Sequence, residues 1–122
     1  MSRGPSNAQG QTARLIADHQ RSYENPIQVK TGQPFELTDR IDIWQGYRWI
    51  WARDDSGREG WVPDALPDRS QTPATARYDY SARELDCAQG AQVTVRHISH
   101  GWAWCEMDGG DLGWLPLDKL AL

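Results

Sequence analysis

Hydrophobic and polar residues alternate in short runs along most of this chain. Ile27 and Val29 alternate with polar neighbours, and beyond Lys30-Thr31-Gly32 the alternation resumes at Phe35 and Leu37. A period of two marks half-buried strands, and a glycine between two such runs reads as a connection. Trp49-Ile50-Trp51-Ala52 predicts a third strand, Asp54-Asp55-Ser56-Gly57 a tight turn, and Gly60-Trp61-Val62 a fourth strand stopped by Pro63. The second half repeats the plan. Leu85 and Cys87 match Ile27 and Val29, Gly90 matches Gly32, and Val93 and Val95 match Phe35 and Leu37. Ala103 and Cys105 match Ile50 and Ala52, with a hairpin turn at Met107-Asp108-Gly109-Gly110.

The tryptophans sharpen this into a repeat. Gly60-Trp61-Val62-Pro63 recurs as Gly113-Trp114-Leu115-Pro116, and the interval from Trp49 to Trp61 equals that from Trp102 to Trp114. One small unit has been built twice. The main length difference lies between the second and third strands, where the first copy carries Thr38 through Gly46 and the second only Arg96 through Gly101. No helical period is sustained. Short strands with glycine-rich turns predict an all-β fold of two small barrels in tandem. The expected organisation is a disordered segment over residues 1–14, a first domain over 15–67, a short stiff linker over 68–74, and a second domain over 75–122.

Strict alternation puts Trp49 with Trp51 on one face of their strand and Ile50 with Ala52 on the other. Trp102 and Trp104 stand likewise opposite Ala103 and Cys105. The small residues suit the interior, so the indoles face outward. Outward indoles on a soluble domain call for a cover: a ligand, the neighbouring domain or a partner chain. Trp44, in the longer connection, is expected to anchor that loop.

Composition narrows the function. Units of about 50 residues bury little surface, so 7 Trp in 122 residues partly reflect small cores that need large side chains. A formal net charge of -4 disfavours a nucleic-acid partner. No apolar run has bilayer length, so no membrane association is expected. The opening MSRGPSNAQGQTAR has no apolar signal core, which points to a cytoplasmic protein. Cys87 and Cys105 lack the C-x-x-C spacing of a metal or redox site and are expected to be buried free thiols. His19, His97 and His100 read as exposed loop residues. Ser81, Ser99 and His100 form no nucleophile–base set, and Asp54-Asp55, Asp108 and Asp111 fall on turns. No enzyme activity, metal or cofactor is implied.

The second half also resembles a Src-homology-3 (SH3) domain. Ala76-Arg77-Tyr78-Asp79-Tyr80 is similar to the family's A-L-Y-D-Y opening, Glu84 through Gly90 to its E-L-x-F-x-x-G stretch, and Gly101-Trp102 and Gly113-Trp114-Leu115-Pro116 to its groove motifs. The first half resembles it through Gly32, Trp49, Ala52 and Gly60-Trp61-Val62-Pro63, with Ala17-Asp18-His19 in place of Tyr-Asp-Tyr. The whole looks like short bacterial proteins of two variant SH3 domains. The resemblance implies five-stranded barrels that bind an extended protein or peptide segment, proline-rich ones included, between aromatic plates. In the second domain the plates would be Tyr78, Tyr80, Trp102 and Trp114 over Pro116, with Glu84 or Asp86 pairing with a ligand cation. In the first they would be His19, Trp49, Trp61 and Pro63, with Tyr23 from the longer loop. Lys119 stands where the family has its last groove Tyr. The second domain is therefore expected to be the better binder. Two other roles fit the same residues: recognition of cell-wall peptide or glycan, and a structural subunit whose grooves are filled by the neighbouring domain.

Overall fold

The computed structural model describes residues 10–122. In chain order the strands are β1 (Gln11–Leu15), β2 (Gln28–Val29), β3 (Glu36–Trp44), β4 (Tyr47–Arg53), β5 (Glu59–Pro63) and β6 (Pro67–Asp68). They continue as β7 (Thr75–Ala76), β8 (Tyr80–Ser81), β9 (Gln92–Ser99), β10 (Trp102–Met107), β11 (Leu112–Pro116) and β12 (Leu120–Ala121). A single 3-10 turn covers Leu117–Lys119. The described residues are thus all-β, as the alternation predicts.

The strands gather into two compact units that do not follow chain order. A central unit comprises Tyr23–Arg83, and a split unit joins the chain up to Ser22 to Glu84–Leu122. This corrects the sequential division at residues 67 and 75. β1 leaves its own repeat and lies between β9 and β12 in a sheet of order β11-β10-β9-β1-β12. Its register is Ala13↔Val93 on one side and Leu15↔Leu120 on the other. In return, the Tyr-Asp-Tyr segment of the second repeat completes the central unit, where Val29 pairs with Tyr80 and Pro67 with Ala76.

Within the stretch 68–74, Asp68 pairs with Thr75 and residues 69–74 form a hairpin loop rather than a linker. The Asp68 carboxylate accepts from the Ser70 amide at 3.0 Å and the Ser70 hydroxyl at 2.7 Å. The Arg77 amide donates to the Leu66 carbonyl at 2.9 Å. An Asp whose side chain bonds two residues on is a turn device, and it folds the chain back on itself here. Tyr78 and Tyr80 are thereby delivered to the strands that precede the turn. Expected disorder over 1–14 fails for Gln11–Arg14, which lie in β1; residues 1–9 are outside the described region.

The five-stranded closed barrels implied by the resemblance are not formed among the described residues. The split unit has its five-stranded sheet; the central unit has a three-stranded sheet, β3-β4-β5, with separate two-stranded pairs β2-β8 and β6-β7. Those four pairing segments are two residues each, too short to carry a ladder round a barrel. The stretch from Thr38 to Gly46 is also no loop. β3 and β4 stay paired out to Trp44↔Tyr47 around a Gln45-Gly46 tip, so Trp44 is a strand residue. Gly46 turns the tip at φ 83, a conformation that costs glycine nothing sterically.

Packing follows the predicted faces. Ile50, Ala52 and Val62 are buried in the central unit, and Ala103, Cys105 and Leu115 in the split unit. Leu15 enters the split unit's core beside Leu85, Val93 and Leu115. Fully burying such a side chain contributes about 1.5–3 kcal/mol, which holds β1 in its exchanged place. The repeated glycine before each Trp has a steric reason. A Cβ on Gly113 would sit 3.0 Å from the Leu85 backbone nitrogen, and one on Gly60 would sit 3.1 Å from Ala82 Cβ and Ile27 Cγ2.

Candidate functional site

All seven Trp are half-buried, neither sealed inside nor fully free. On the outward face of β4 and β5, Trp49 stands directly opposite Pro63 and Trp51 opposite Trp61. The hairpin at 67–76 then brings two tyrosines to this unit. Tyr80 is buried and its hydroxyl donates to the Trp61 carbonyl at 2.9 Å. Tyr78 is 38% exposed. Partial burial pushes its phenol pKa up, and the Asp64 carboxylate adds to the rise, so Tyr78 lies beside the segment that follows Pro63. Trp49, Trp61, Pro63, Tyr78 and Tyr80 therefore belong to one unit. The sequence reading had divided them between two.

The split unit receives the other half of that exchange. Trp102 stands opposite Pro116, and Trp104 opposite Trp114. Where the central unit has Tyr80, this unit has His19, whose ring meets Trp102 edge-on at 5.8 Å. His19 is not an exposed loop histidine: it is 7% exposed, and its backbone pairs with Cys87 as Tyr80 pairs with Val29. Lys119 Nζ lies 3.1 Å from His19 Nδ1, and Glu84 Oε1 lies 2.9 Å from Nε2. An ammonium only donates, so Nδ1 is the acceptor and Nε2–H donates to Glu84. Glu84, 8% exposed, also accepts from the Ser22 hydroxyl at 3.0 Å and amide at 3.2 Å. Asp86 accepts from the Arg21 amide at 2.7 Å, with the Arg21 guanidinium 3.6 Å away. Both acids named for a ligand cation thus already hold partners within the chain.

Three features escaped the sequence reading. The first is Asp54, read as a turn residue but only 7% exposed. Burial alone would raise its pKa, yet amide bonds from Gln28, Arg58 and Ser56 and the charge of Arg58 outweigh it and hold the carboxyl below its usual range. The sequence signal was Asp54-x-Ser56-x-Arg58, with both partners in one short turn. The second is Arg40, whose guanidinium carbon lies 4.7 Å from the Trp51 ring centre and 5.3 Å from that of Trp61. No local pattern announces it, because a bulge between Leu37 and Ile41 sets its direction. The third is the His19–Glu84 bond, which spans the exchange and has no local spacing to betray it.

Cys87 and Cys105 are buried free thiols, as expected. Burial, with a smaller contribution from Cys87, pushes the Cys105 thiol up to about 12, which leaves it unreactive as a nucleophile near neutral pH. Among the described residues no cluster of three or more His, Cys, Asp or Glu could hold a metal ion. No described helix is long and apolar enough to cross a membrane.

Alternating strands, the Gly-Trp-x-Pro turns and the outward Trp–Pro pairs are consistent with an SH3-like β fold. Residues 12–66 match the family model of the variant SH3 domain. The matched stretch is continuous in sequence but divided in space, with the part up to Ser22 in the split unit and the rest in the central unit. No curated protein and no solved structure matches the chain.

Proposed function

We propose that this protein is a non-catalytic adaptor that holds an extended protein segment, proline-rich segments included, against the aromatic face of its central unit. The observation that carries this reading is the gathering of Tyr78 and Tyr80 with the Trp49–Pro63 pair in one unit. A polyproline II segment makes no internal hydrogen bonds and offers carbonyls and flat ring faces, which the half-buried indoles and the exposed Tyr78 receive at small entropic cost. The corresponding place in the split unit is taken by His19, which is hydrogen-bonded to Glu84 through one ring nitrogen and to Lys119 through the other. Those groups support a structural role there, with Trp102 packed on His19. The central unit is accordingly the binder, the reverse of the ranking drawn from sequence.

The test is titration of the whole chain with a synthetic proline-rich decapeptide, followed by tryptophan fluorescence. Trp49→Ala should weaken binding by about 2 kcal/mol or more, roughly thirtyfold, as for a central aromatic anchor. Trp102→Ala should leave affinity within about twofold. Equal losses in both variants would overturn the assignment. Binding of soluble peptidoglycan fragments instead of any peptide would replace the ligand class.

A further inference from the structure

We infer that Arg40 is a built-in competitor: it fills a cation-binding site on the central unit that an arginine-like group of a ligand must take over. This rests on reading the central unit as a segment binder, but adds how that surface is held closed.

The site is made of two indoles and an acid. Trp51 and Trp61 stand opposite each other with ring centres 5.2 Å apart and planes at 78°. The two faces form an angled wall with negative quadrupole density toward its open side. Glu59 is at the rim, where the Trp51 indole N–H donates to Oε1 at 2.7 Å. That bond, together with the charges of Arg53 and Arg40, holds the Glu59 carboxyl below its usual range, so the rim carries a negative charge at neutral pH. Two aromatic faces and a carboxylate are the chemistry that takes a guanidinium or a methylated ammonium.

Arg40 occupies that place from a dedicated device. Between Leu37 and Ile41 the β3–β4 register shifts. Thr38 pins the bulge: its hydroxyl donates to the Trp51 carbonyl at 2.8 Å and accepts from the Arg40 amide at 3.2 Å. A bulge bends a strand and re-aims a side chain, and here the side chain is aimed over both rings. The device lies in the stretch by which the first repeat exceeds the second. In the split unit the equivalent rings, Trp104 and Trp114, keep the same 5.2 Å spacing. There His97 is the neighbour, 6.4 Å from Trp114, and Arg96 is bonded away to Glu106 at 2.8 Å. The ring pair is thus common to both repeats, and the tethered cation belongs to the one that carries the groove.

Arg40 is exposed, so its hold is of the weak, displaceable kind. A tethered group of that strength reduces the affinity of a competing cation by about two- to fivefold.

The test uses the full chain with methylguanidinium as the probe, read by the indole N–H signals of Trp51 and Trp61 in nitrogen-15 correlation spectra. Arg40→Ala and Arg40→Gln should each bind the probe about two- to fivefold tighter than wild type. Arg48→Ala removes the same charge from an exposed position on β4 and should bind it as wild type does. The inference is overturned if neither Arg40 variant gains affinity, or if Arg48→Ala gains as much. Because the probe is a free cation, either result leaves the peptide-binding reading to its own test.

Discussion

His19 and Tyr80 hold the same station in the two units, and what surrounds them differs sharply. Each follows an Asp whose carboxylate receives a turn amide, Gln89 onto Asp18 at 2.7 Å and Thr31 onto Asp79 at 2.8 Å. Each lies four residues beyond the end of a strand whose last carbonyl accepts from the glycine of that turn, Gly90 onto Leu15 at 2.8 Å and Gly32 onto Ala76 at 2.7 Å. The backbone therefore treats the two opening segments alike. Side chains tell them apart. Tyr80 donates its hydroxyl to the Trp61 carbonyl, whereas His19 closes a hydrogen-bonded set with Glu84 and Lys119. One scaffold carries two different sets of side chains at this station: a phenol bonded to a backbone carbonyl, and a hydrogen-bonded clasp.

The sharpest way to break this comparison is to ask which segment each unit receives. Thr12 lies beside Thr94 in β9, and Glu36 is the matching residue of the other repeat. In an oxidised monomer, Thr12→Cys with Thr94→Cys should cross-link nearly completely, and Thr12→Cys with Glu36→Cys should not. Gel mobility without reductant reads the result; the opposite outcome would restore two sequential domains and dissolve the contrast.

A smaller effect tests the clasp. Glu84→Ala strands the buried His19 N–H and the Ser22 donors, and should destabilise the protein by about 2–4 kcal/mol in urea unfolding. Affinity for the proline-rich peptide should persist in the folded fraction. Loss of peptide binding without loss of stability would move the receiving surface to the split unit.

The smallest effect concerns acid. Asp54 belongs to the central unit, and its folded pKa is depressed. Its contribution is fully present above the unfolded value, about 3.9, and is lost as pH falls through the lower folded value. Asp54→Asn should cost about 1–3 kcal/mol at neutral pH, and should flatten the decline in stability below about pH 4. An unchanged acid slope in the variant would mean that other carboxylates set it.

Much of the local structure was legible in the residues. The alternation of Ile50 and Ala52 against Trp49 and Trp51, the repeat of Gly-Trp-x-Pro, and the free buried state of Cys87 and Cys105 follow from side-chain size and period alone. The re-sorting of aromatic residues between the two units was not legible. Pairing partners for residues 11–22 and 76–83 are backbone groups, which carry no label, and both repeats offer them the same amides and carbonyls. The turn at Asp68-Arg69-Ser70 was visible as a turn signal but read as a connector, since composition cannot distinguish a chain that bends back from one that travels on.

By itself, then, the sequence determined the all-β character, the two-fold repetition and the outward indoles, because these depend on neighbours two to twelve residues away. Tertiary structure alone decided which aromatic rings share a unit and that Arg40 lies over two of them. Those outcomes turn on side-chain complementarity between segments more than 60 residues apart, such as His19 with Glu84, and on a bulge whose direction only the folded sheet defines.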